Sequence, residues 1–134
     1  MTGTGVITMA NLAGTGSRAV LASSTGVLSA PLSDARLKTN ITPIDKATVM
    51  DMLKDPKIQA IQFNWKDKSK GNDTELGFLY QAFEKYAIKG LTFFDNGFGG
   101  INYEKISTLL WTQNVEQQKQ INDLENRIKM LENK

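Results

Sequence analysis

Apolar residues recur at helical spacing after residue 42 and at strand spacing after residue 60. The first pattern predicts a helix that begins with Thr42 as its N-cap and ends at Asp55 and Pro56. Its buried face is expected to consist of four apolar residues at helical spacing, namely Ile44, Ala47, Met50 and Leu53. The second pattern, an alternation of apolar and polar residues over 61–65, predicts a half-buried strand.

The segment that follows this strand contains only short patterns. Residues 66–74 are polar and are expected to form a loop. Residues 76–79 are expected to form a short strand, and residues 80–86 one or two helical turns. Residues 95–100 are rich in glycine and predict a turn. Together these patterns describe a small globular part of mixed helix and strand.

A heptad pattern at the C-terminus predicts a long helix from about Tyr103 to Leu131, capped by Asn102. The seam of a coiled coil would consist of Leu110, Asn114, Gln117, Ile121, Leu124, Ile128 and Leu131. Ile at position a with Leu at d favours two strands, but polar layers blur that rule, so the pattern leaves the number of chains open. The alternative is a single amphipathic helix packed on its own domain. It is disfavoured because residues 113–126 look too polar to pack on a core.

The chain changes in character at Ser33. All 14 acidic residues lie at or after Asp34, whereas residues 1–32 hold one charged residue, Arg18, and five of the 11 glycines. Strand-like runs at 5–10, 18–23 and 26–29 have too few large apolar residues to bury a core alone. The segment is therefore either a disordered leader or the end of a fibrous β-structure that needs partner chains, and the second interpretation is favoured.

The expected fold class is α+β, in three parts. Residues 1–32 would form the end of a fibrous β-segment, residues 33–102 a small mixed globular domain, and residues 103–134 a coiled-coil helix. No apolar run approaches the ~20 residues of a membrane span, and the N-terminus lacks the pattern of a signal peptide. We therefore expect a soluble protein made in a cytoplasm, with no membrane insertion.

Composition excludes several kinds of site. The chain has no cysteine and no histidine, so it can hold no disulfide, no Cys/His metal site and no Ser-His-Asp triad. We expect neither a cofactor nor a metal. The 16 basic and 14 acidic residues are well mixed and leave a net charge of +2, which argues against nucleic acid as a partner. Nucleophilic chemistry would need another base, and lysine is the main candidate.

Residues 33–41 read Ser-Asp-Ala-Arg-Leu-Lys-Thr-Asn-Ile. They resemble the signature Ser-Asp-x-Arg-Leu-Lys-x-Asn-Ile of the intramolecular chaperone autopeptidases. These domains end phage endosialidase tailspikes and many tail fibres, and one occurs in myelin regulatory factor. The resemblance extends to an aromatic-Trp pair at residues 63–65, to Gly77-Phe78 and Gln81, and to Tyr103 before the helix. Residues 14–30 are similar to the fibre segment that often precedes the domain.

The resemblance implies that Ser33 is the nucleophile, that Lys38 is the general base and that the scissile bond joins Leu32 to Ser33. Serine needs a base to take its proton. A lysine can do so only when uncharged, a form that burial and a nearby cation such as Arg36 would favour.

The resemblance also implies supporting roles for Asp34, Arg36 and Asn40. The oxyanion could be stabilised by backbone amides or by the side chain of Asn40, and the sequence does not choose between them. An offset of five residues aligns two side chains neither on a helix nor on a strand. The dyad therefore requires an irregular turn or a lysine from a neighbouring chain.

The implied function is a self-cleaving intramolecular chaperone. It would hold a homotrimer together through the coiled coil, drive folding of its own N-terminal fibre segment in a tail spike or fibre, and then cut itself off. The implied location is the virion, after synthesis in the host cytoplasm, with other virion proteins as further partners. Two alternatives are a non-cleaving structural trimeric spike or fibre tip, and a coiled-coil adaptor that binds a host or virion partner through residues 103–134.

Overall fold

The computed structural model describes residues 8–17 and 19–134, without the side chain of Asn11. The fold is α+β, with three two-stranded sheets and a long C-terminal helix among these residues. The chain divides into two compact units, Met1–Pro43 and Ile44–Lys134. Each unit is described by itself.

The first unit contains a small antiparallel hairpin, β1 (Leu21–Ala22) and β2 (Leu28–Ser29). The hydroxyl of Ser23 accepts a hydrogen bond of 3.0 Å from the amide of Val27 and closes the turn between the strands. β1 is shorter than the predicted run at 18–23, of which Arg18 lies outside the described residues, and β2 is shorter than the run at 26–29. Of the predicted run at 5–10, residues 5–7 lie outside the described residues and Ala10 begins a 3-10 turn, Ala10–Leu12. The hairpin residues are largely exposed, as expected for strands with no core of their own.

The second unit begins with α1 (Lys46–Lys54), which starts later than predicted. Its N-cap is Asp45, not Thr42, because the Asp45 carboxylate accepts hydrogen bonds from the amide of Ala47 and the hydroxyl of Thr48. Ile44, just before the cap, packs against the cluster that contains Val49, four residues into the helix. This apolar contact across the cap fixes the angle at which the chain enters the helix.

The predicted buried face of α1 is also wrong. Val49 and Met52 are buried, whereas Ala47 and Leu53 are exposed and Met50 is half-buried. Apolar residues lie on several sides of this helix. The spacing of 3 therefore selects two possible faces, and packing in the folded domain selects between them.

Two further hairpins follow α1. β3 (Ile61–Phe63) pairs with β4 (Glu75–Gly77), and the half-buried positions 61, 63 and 65 confirm the predicted alternation. After α2 (Tyr80–Phe83), β5 (Thr92–Asp95) pairs with β6 (Phe98–Ile101). The predicted turn over 95–100 is therefore mostly strand. The turn itself is Asn96-Gly97, and both residues have positive φ, 50° and 81°, as a two-residue hairpin turn requires.

The last element, α3 (Tyr103–Glu132), confirms the predicted helix. Ile106, Leu109 and Gln113 are buried, and they face α1. Nε2 of Gln113 donates a hydrogen bond of 2.9 Å to the carbonyl oxygen of Val49. One turn later, Glu116 forms an ion pair of 3.0 Å with Lys46. The expectation that 113–126 is too polar to pack on a core is therefore wrong at its start, because these polar groups find partners on α1.

The core of the second unit is a single cluster contributed by α1, α2, the segment before β5 and the first half of α3. Its buried apolar members are Val49, Met52, Ala82, Phe83, Leu91, Ile106 and Leu109. Beyond Gln117, every residue of α3 is exposed in the single chain. The helix thus has a first half that belongs to the globular core and a second half that extends from it.

Tyr103 joins the start of α3 to β4. Its hydroxyl oxygen accepts a hydrogen bond of 2.9 Å from the amide of Phe78. A Cβ atom on Gly77 would lie 2.7 Å from the same oxygen. Glycine is therefore required at position 77 for the hydroxyl of Tyr103 to approach the backbone so closely.

Candidate active site

The candidate site is an irregular turn in the first unit. Residues Ala35–Leu37 form one 3-10 turn with extended backbone on both sides. Asp34 is its N-cap, and Oδ1 of Asp34 accepts a hydrogen bond of 2.9 Å from the amide of Arg36. The amide of Lys38 closes the turn on the carbonyl of Ala35 at 3.0 Å. The chain therefore doubles back between Ser33 and Lys38.

The turn brings together the two residues proposed as a dyad. Nζ of Lys38 donates a hydrogen bond of 2.7 Å to Oγ of Ser33 within one chain. This is the irregular geometry that an offset of five residues requires, since neither a helix nor a strand would align the two side chains. No second chain is needed for the contact.

An ion pair between the side chains of Asp34 and Arg36 stabilises the turn. Nη2 of Arg36 lies 2.7 Å from Oδ2 of Asp34, and Nε of Arg36 lies 3.1 Å from both carboxylate oxygens. These hydrogen bonds from Arg36, together with its amide, hold the pKa of Asp34 below its ordinary value. The charge of Arg36 is therefore paired with Asp34.

The site is open to solvent in the single chain. Ser33 and Lys38 are both exposed, so the burial expected for a lysine base is not present here. Three large apolar side chains near the dyad are exposed as well: Leu32 (74%), Leu37 (67%) and Ile41 (69%). A surface that covered these aliphatic residues would also remove water from the Ser33–Lys38 contact.

The bond proposed to be cut lies just before the turn. The amide of Leu32 donates a hydrogen bond of 2.9 Å to the carbonyl of Ala30, so the chain bends at Pro31. Within the described residues, neither the side chain of Asn40 nor a backbone amide donates a hydrogen bond to the Leu32 carbonyl oxygen. Asn40 itself adopts a positive φ of 51°.

A second group of ionisable residues, in the second unit, has the character of a structural cluster. The carboxylate of Asp55 is 5% exposed and lies 2.6 Å from Nζ of Lys85. It also accepts hydrogen bonds from the amide of Lys57 at 2.9 Å and the hydroxyl of Tyr86 at 2.8 Å. These contacts lower the pKa of Asp55 to about 2, and the contact with Lys85 has the largest effect. The sequence reading did not single out Asp55, which it used only to end a helix.

The described residues contain no group of three or more acidic side chains that could hold a metal ion. None of the helices found among them has the length and apolar character of a membrane span.

Residues 33–92 match the family model described as chaperone of endosialidase, a peptidase family. The match covers this segment, which is less than half of the chain. The match begins at Ser33 and includes the turn, Lys38, α1 and the β3–β4 hairpin. It confirms the resemblance stated from the sequence and supports an endosialidase-chaperone type of role with peptidase character. A search of curated proteins found no match to the chain.

Proposed function

We propose that this protein is a self-cleaving intramolecular chaperone of a phage-type tail spike or fibre. It associates as a homotrimer through α3, assists the folding of the segment before Ser33, and then cuts the bond between Leu32 and Ser33. The proposal rests on one observation above all: Lys38 Nζ lies 2.7 Å from Ser33 Oγ at the first residue of the family match.

The cut at this bond follows from the position of the nucleophile. Oγ of Ser33 attacks the carbonyl carbon of the preceding residue, Leu32, while an uncharged Lys38 takes the hydroxyl proton. The C–N bond then breaks, the proton passes to the nitrogen of Ser33, and the acyl group is held as an ester on Oγ. Water hydrolyses the ester, leaving a carboxylate on Leu32 and a free amine and hydroxyl on Ser33. The net reaction consumes one water molecule.

Association of chains is supported by the exposed seam of α3. Its five aliphatic residues are 48–65% exposed in the single chain, namely Leu110, Ile121, Leu124, Ile128 and Leu131. A helix that leaves such a stripe uncovered over several turns is typical of a coiled coil. Asn114 and Gln117 would form polar layers within it, and the number three comes from the family resemblance.

The exposed dyad supports a link between association and cleavage. In the single chain Ser33 and Lys38 are both exposed to water. A surface of a neighbouring copy that covered Leu32, Leu37 and Ile41 would exclude that water. Cleavage would then follow assembly, and the fibre would be released only once its chains were in register.

The segment before the cut supports a need for folding assistance. β1 and β2 pair over two residues each, and Leu28 is the one half-buried residue of the four. Such short strands gain stability only when further chains cover them. A trimeric helix that holds three copies together raises their local concentration and makes pairing between chains faster. The mature fibre would lie in the virion, where other virion proteins are further partners.

The test is a denaturing gel with N-terminal sequencing on the purified full chain. We expect two fragments, one of which begins at Ser33, and a single uncut chain for Ser33→Ala. Lys38→Met is expected to remain uncut as well, while Lys54→Met, an exposed lysine on α1, is cut like the wild type. A wild-type chain that stays intact after assembly would contradict cleavage and favour a permanent trimeric spike or fibre tip, for which the exposed dyad is the observation in favour.

A further inference from the structure

Trp111 is the most exposed aromatic residue of α3, at 74%. It is not among the residues that form or pack against the core of the second unit. Exposure of most of an indole ring is unfavourable in water, since the ring is a large apolar surface that burial removes from water. Trp111 is therefore a large aromatic side chain that a second chain can reach.

A groove opens on the same part of α3, beside α1. Its volume is about 180 Å³, and its walls include Leu53, Ile58, Phe78, Ile106, Leu110 and Gln113. Leu53 (43% exposed) and Leu110 (52%) form its accessible edge. Apolar cavities of about 150 Å³ accept a benzene molecule, so the groove has room for the six-membered ring of an indole.

The heptad positions relate Trp111 to this groove. With Leu110 at d and Asn114 at a, Trp111 is at e, while Ile106 and Gln113 are at g. Positions e and g flank the seam on opposite sides, so Trp111 cannot reach the groove of its own chain. In a parallel coiled coil, however, the g side of one helix lies against the e side of its neighbour. Ile106 then lies next to Trp111 of the next copy, five residues further along.

We infer that Trp111 of each copy inserts into the groove between α1 and α3 of the neighbouring copy. The occupant of the groove is thus a second copy of this chain. The inference rests on the proposed coiled-coil assembly, and it names the contact that joins the coiled coil to the globular part. Each groove receives one ring and each ring enters one groove, so the contacts close around the axis.

Charge along the same two flanks supports the parallel arrangement that the contact needs. Arg127 is at g and Glu132 at e, five residues apart like Ile106 and Trp111. In a parallel coiled coil these two opposite charges face each other between chains. An antiparallel pair would place e against e, which brings Glu125 and Glu132 towards like charges.

The contact can be read by fluorescence in the full chain. Trp65→Phe leaves Trp111 as the one tryptophan. As the chain associates over a concentration series, followed in parallel by analytical ultracentrifugation, we expect the Trp111 emission to shift to shorter wavelength. Association with an emission that stays that of a water-exposed indole overturns the inference while leaving the coiled coil intact. Absence of association at every concentration overturns both.

Variants test the same contact without relying on Trp65→Phe. We expect Trp111→Ala to raise the concentration at half-association by roughly tenfold or more, as truncation of a central aromatic residue at an interface does. Leu53→Gln, at the edge of the groove, is expected to weaken association too. The double variant should associate as tightly as the single variant that associates less tightly, because both substitutions remove the same contact.

Met130→Ala is the matched control. Met130 is 63% exposed on α3 but lies at position c, away from both flanks. We expect its effect on association to be less than about twofold. Equal effects of Trp111→Ala and Met130→Ala, or additive effects of Trp111→Ala and Leu53→Gln, would overturn the inference.

Discussion

The carboxamide of Gln113 donates a hydrogen bond of 2.9 Å to the carbonyl oxygen of Val49, 64 residues earlier in the chain. Gln113 is 7% exposed, so a polar side chain occupies the place where α3 crosses α1. The bond fixes the rotation of α3 about its own axis. With Gln113 held against α1, Leu110 and the seam that follows it are turned outwards, where a second chain can reach them.

Loss of this bond should loosen α3 from α1. We expect Gln113→Ala to lower the free energy of unfolding by about 1–2 kcal/mol, since it removes one buried hydrogen bond and leaves unfilled space. Chemical denaturation of the full chain would measure it. Gln120→Ala, an exposed glutamine on the same helix, should change it by less than about 0.5 kcal/mol. Equal effects of the two variants would show that the Gln113 bond contributes nothing.

The contact between Gly77 and Tyr103 predicts a compensating pair of substitutions. A Cβ at position 77 would lie 2.7 Å from the Tyr103 hydroxyl oxygen. Gly77→Ala should therefore lower the free energy of unfolding by about 1–3 kcal/mol through overpacking. Tyr103→Phe removes that oxygen. The double variant should therefore lose less free energy of unfolding than the two single variants lose together. Thermal denaturation of the four proteins provides the cycle, and strict additivity would contradict the steric account.

The ion cluster at Asp55 predicts a loss of stability in acid. Its pKa is lowered to about 2 in the folded chain from an ordinary value of 3.8. Between these values the unfolded chain binds more protons than the folded one. The contribution of the Asp55 carboxylate to the free energy of unfolding is therefore complete above about pH 4 and is lost as the pH falls through about 2. Unfolding free energies measured from pH 2 to 5 should show a shallower slope for Asp55→Asn than for wild type. An unchanged slope would assign the acid sensitivity to other groups.

The turn held by Asp34 predicts a graded effect on cleavage. Asp34→Asn keeps a good N-cap but loses the charged contact with Arg36, whereas Asp34→Ala loses both. We expect cleavage to slow roughly two- to threefold in the first and roughly tenfold in the second, because Lys38 is brought to Ser33 less often. Thr39→Ala, exposed and adjacent, should cleave at the wild-type rate. Time courses on gels, with the trimer content checked for each variant, would measure this; a wild-type rate for Asp34→Ala would exclude a positioning role.

Where the sequence predicted the fold correctly, the signal was long or strictly local. α3, a helix of 30 residues, was predicted to within one residue because its heptad pattern repeats over several turns. The alternation at positions 61, 63 and 65 was predicted because a strand places neighbouring side chains on opposite faces. The β5–β6 hairpin was missed although its Asn96-Gly97 turn carries a known signal, since the flanking glycines concealed the strands.

Errors arose where two local choices were equally good. Thr42 and Asp45 are both favourable N-caps, and the helix begins after Asp45, with Ile44 packed against the core cluster. The buried face of α1 was likewise ambiguous until α3 packed against it. Gln113 was predicted to be unable to pack on a core because it is polar. Polarity alone does not show whether a hydrogen-bond acceptor lies next to the side chain in the folded protein.

For the candidate site, the nine residues from Ser33 named the family and the residues to examine, since a short signature needs no folded context to be recognised. The roles of Ser33 and Lys38 in cleavage stay predictions. What only the tertiary structure decided is that one 3-10 turn, held by Asp34 and Arg36, brings the amine to the hydroxyl within a single chain. It also decided that both groups lie in water there, because exposure depends on which surfaces meet and not on the order of residues.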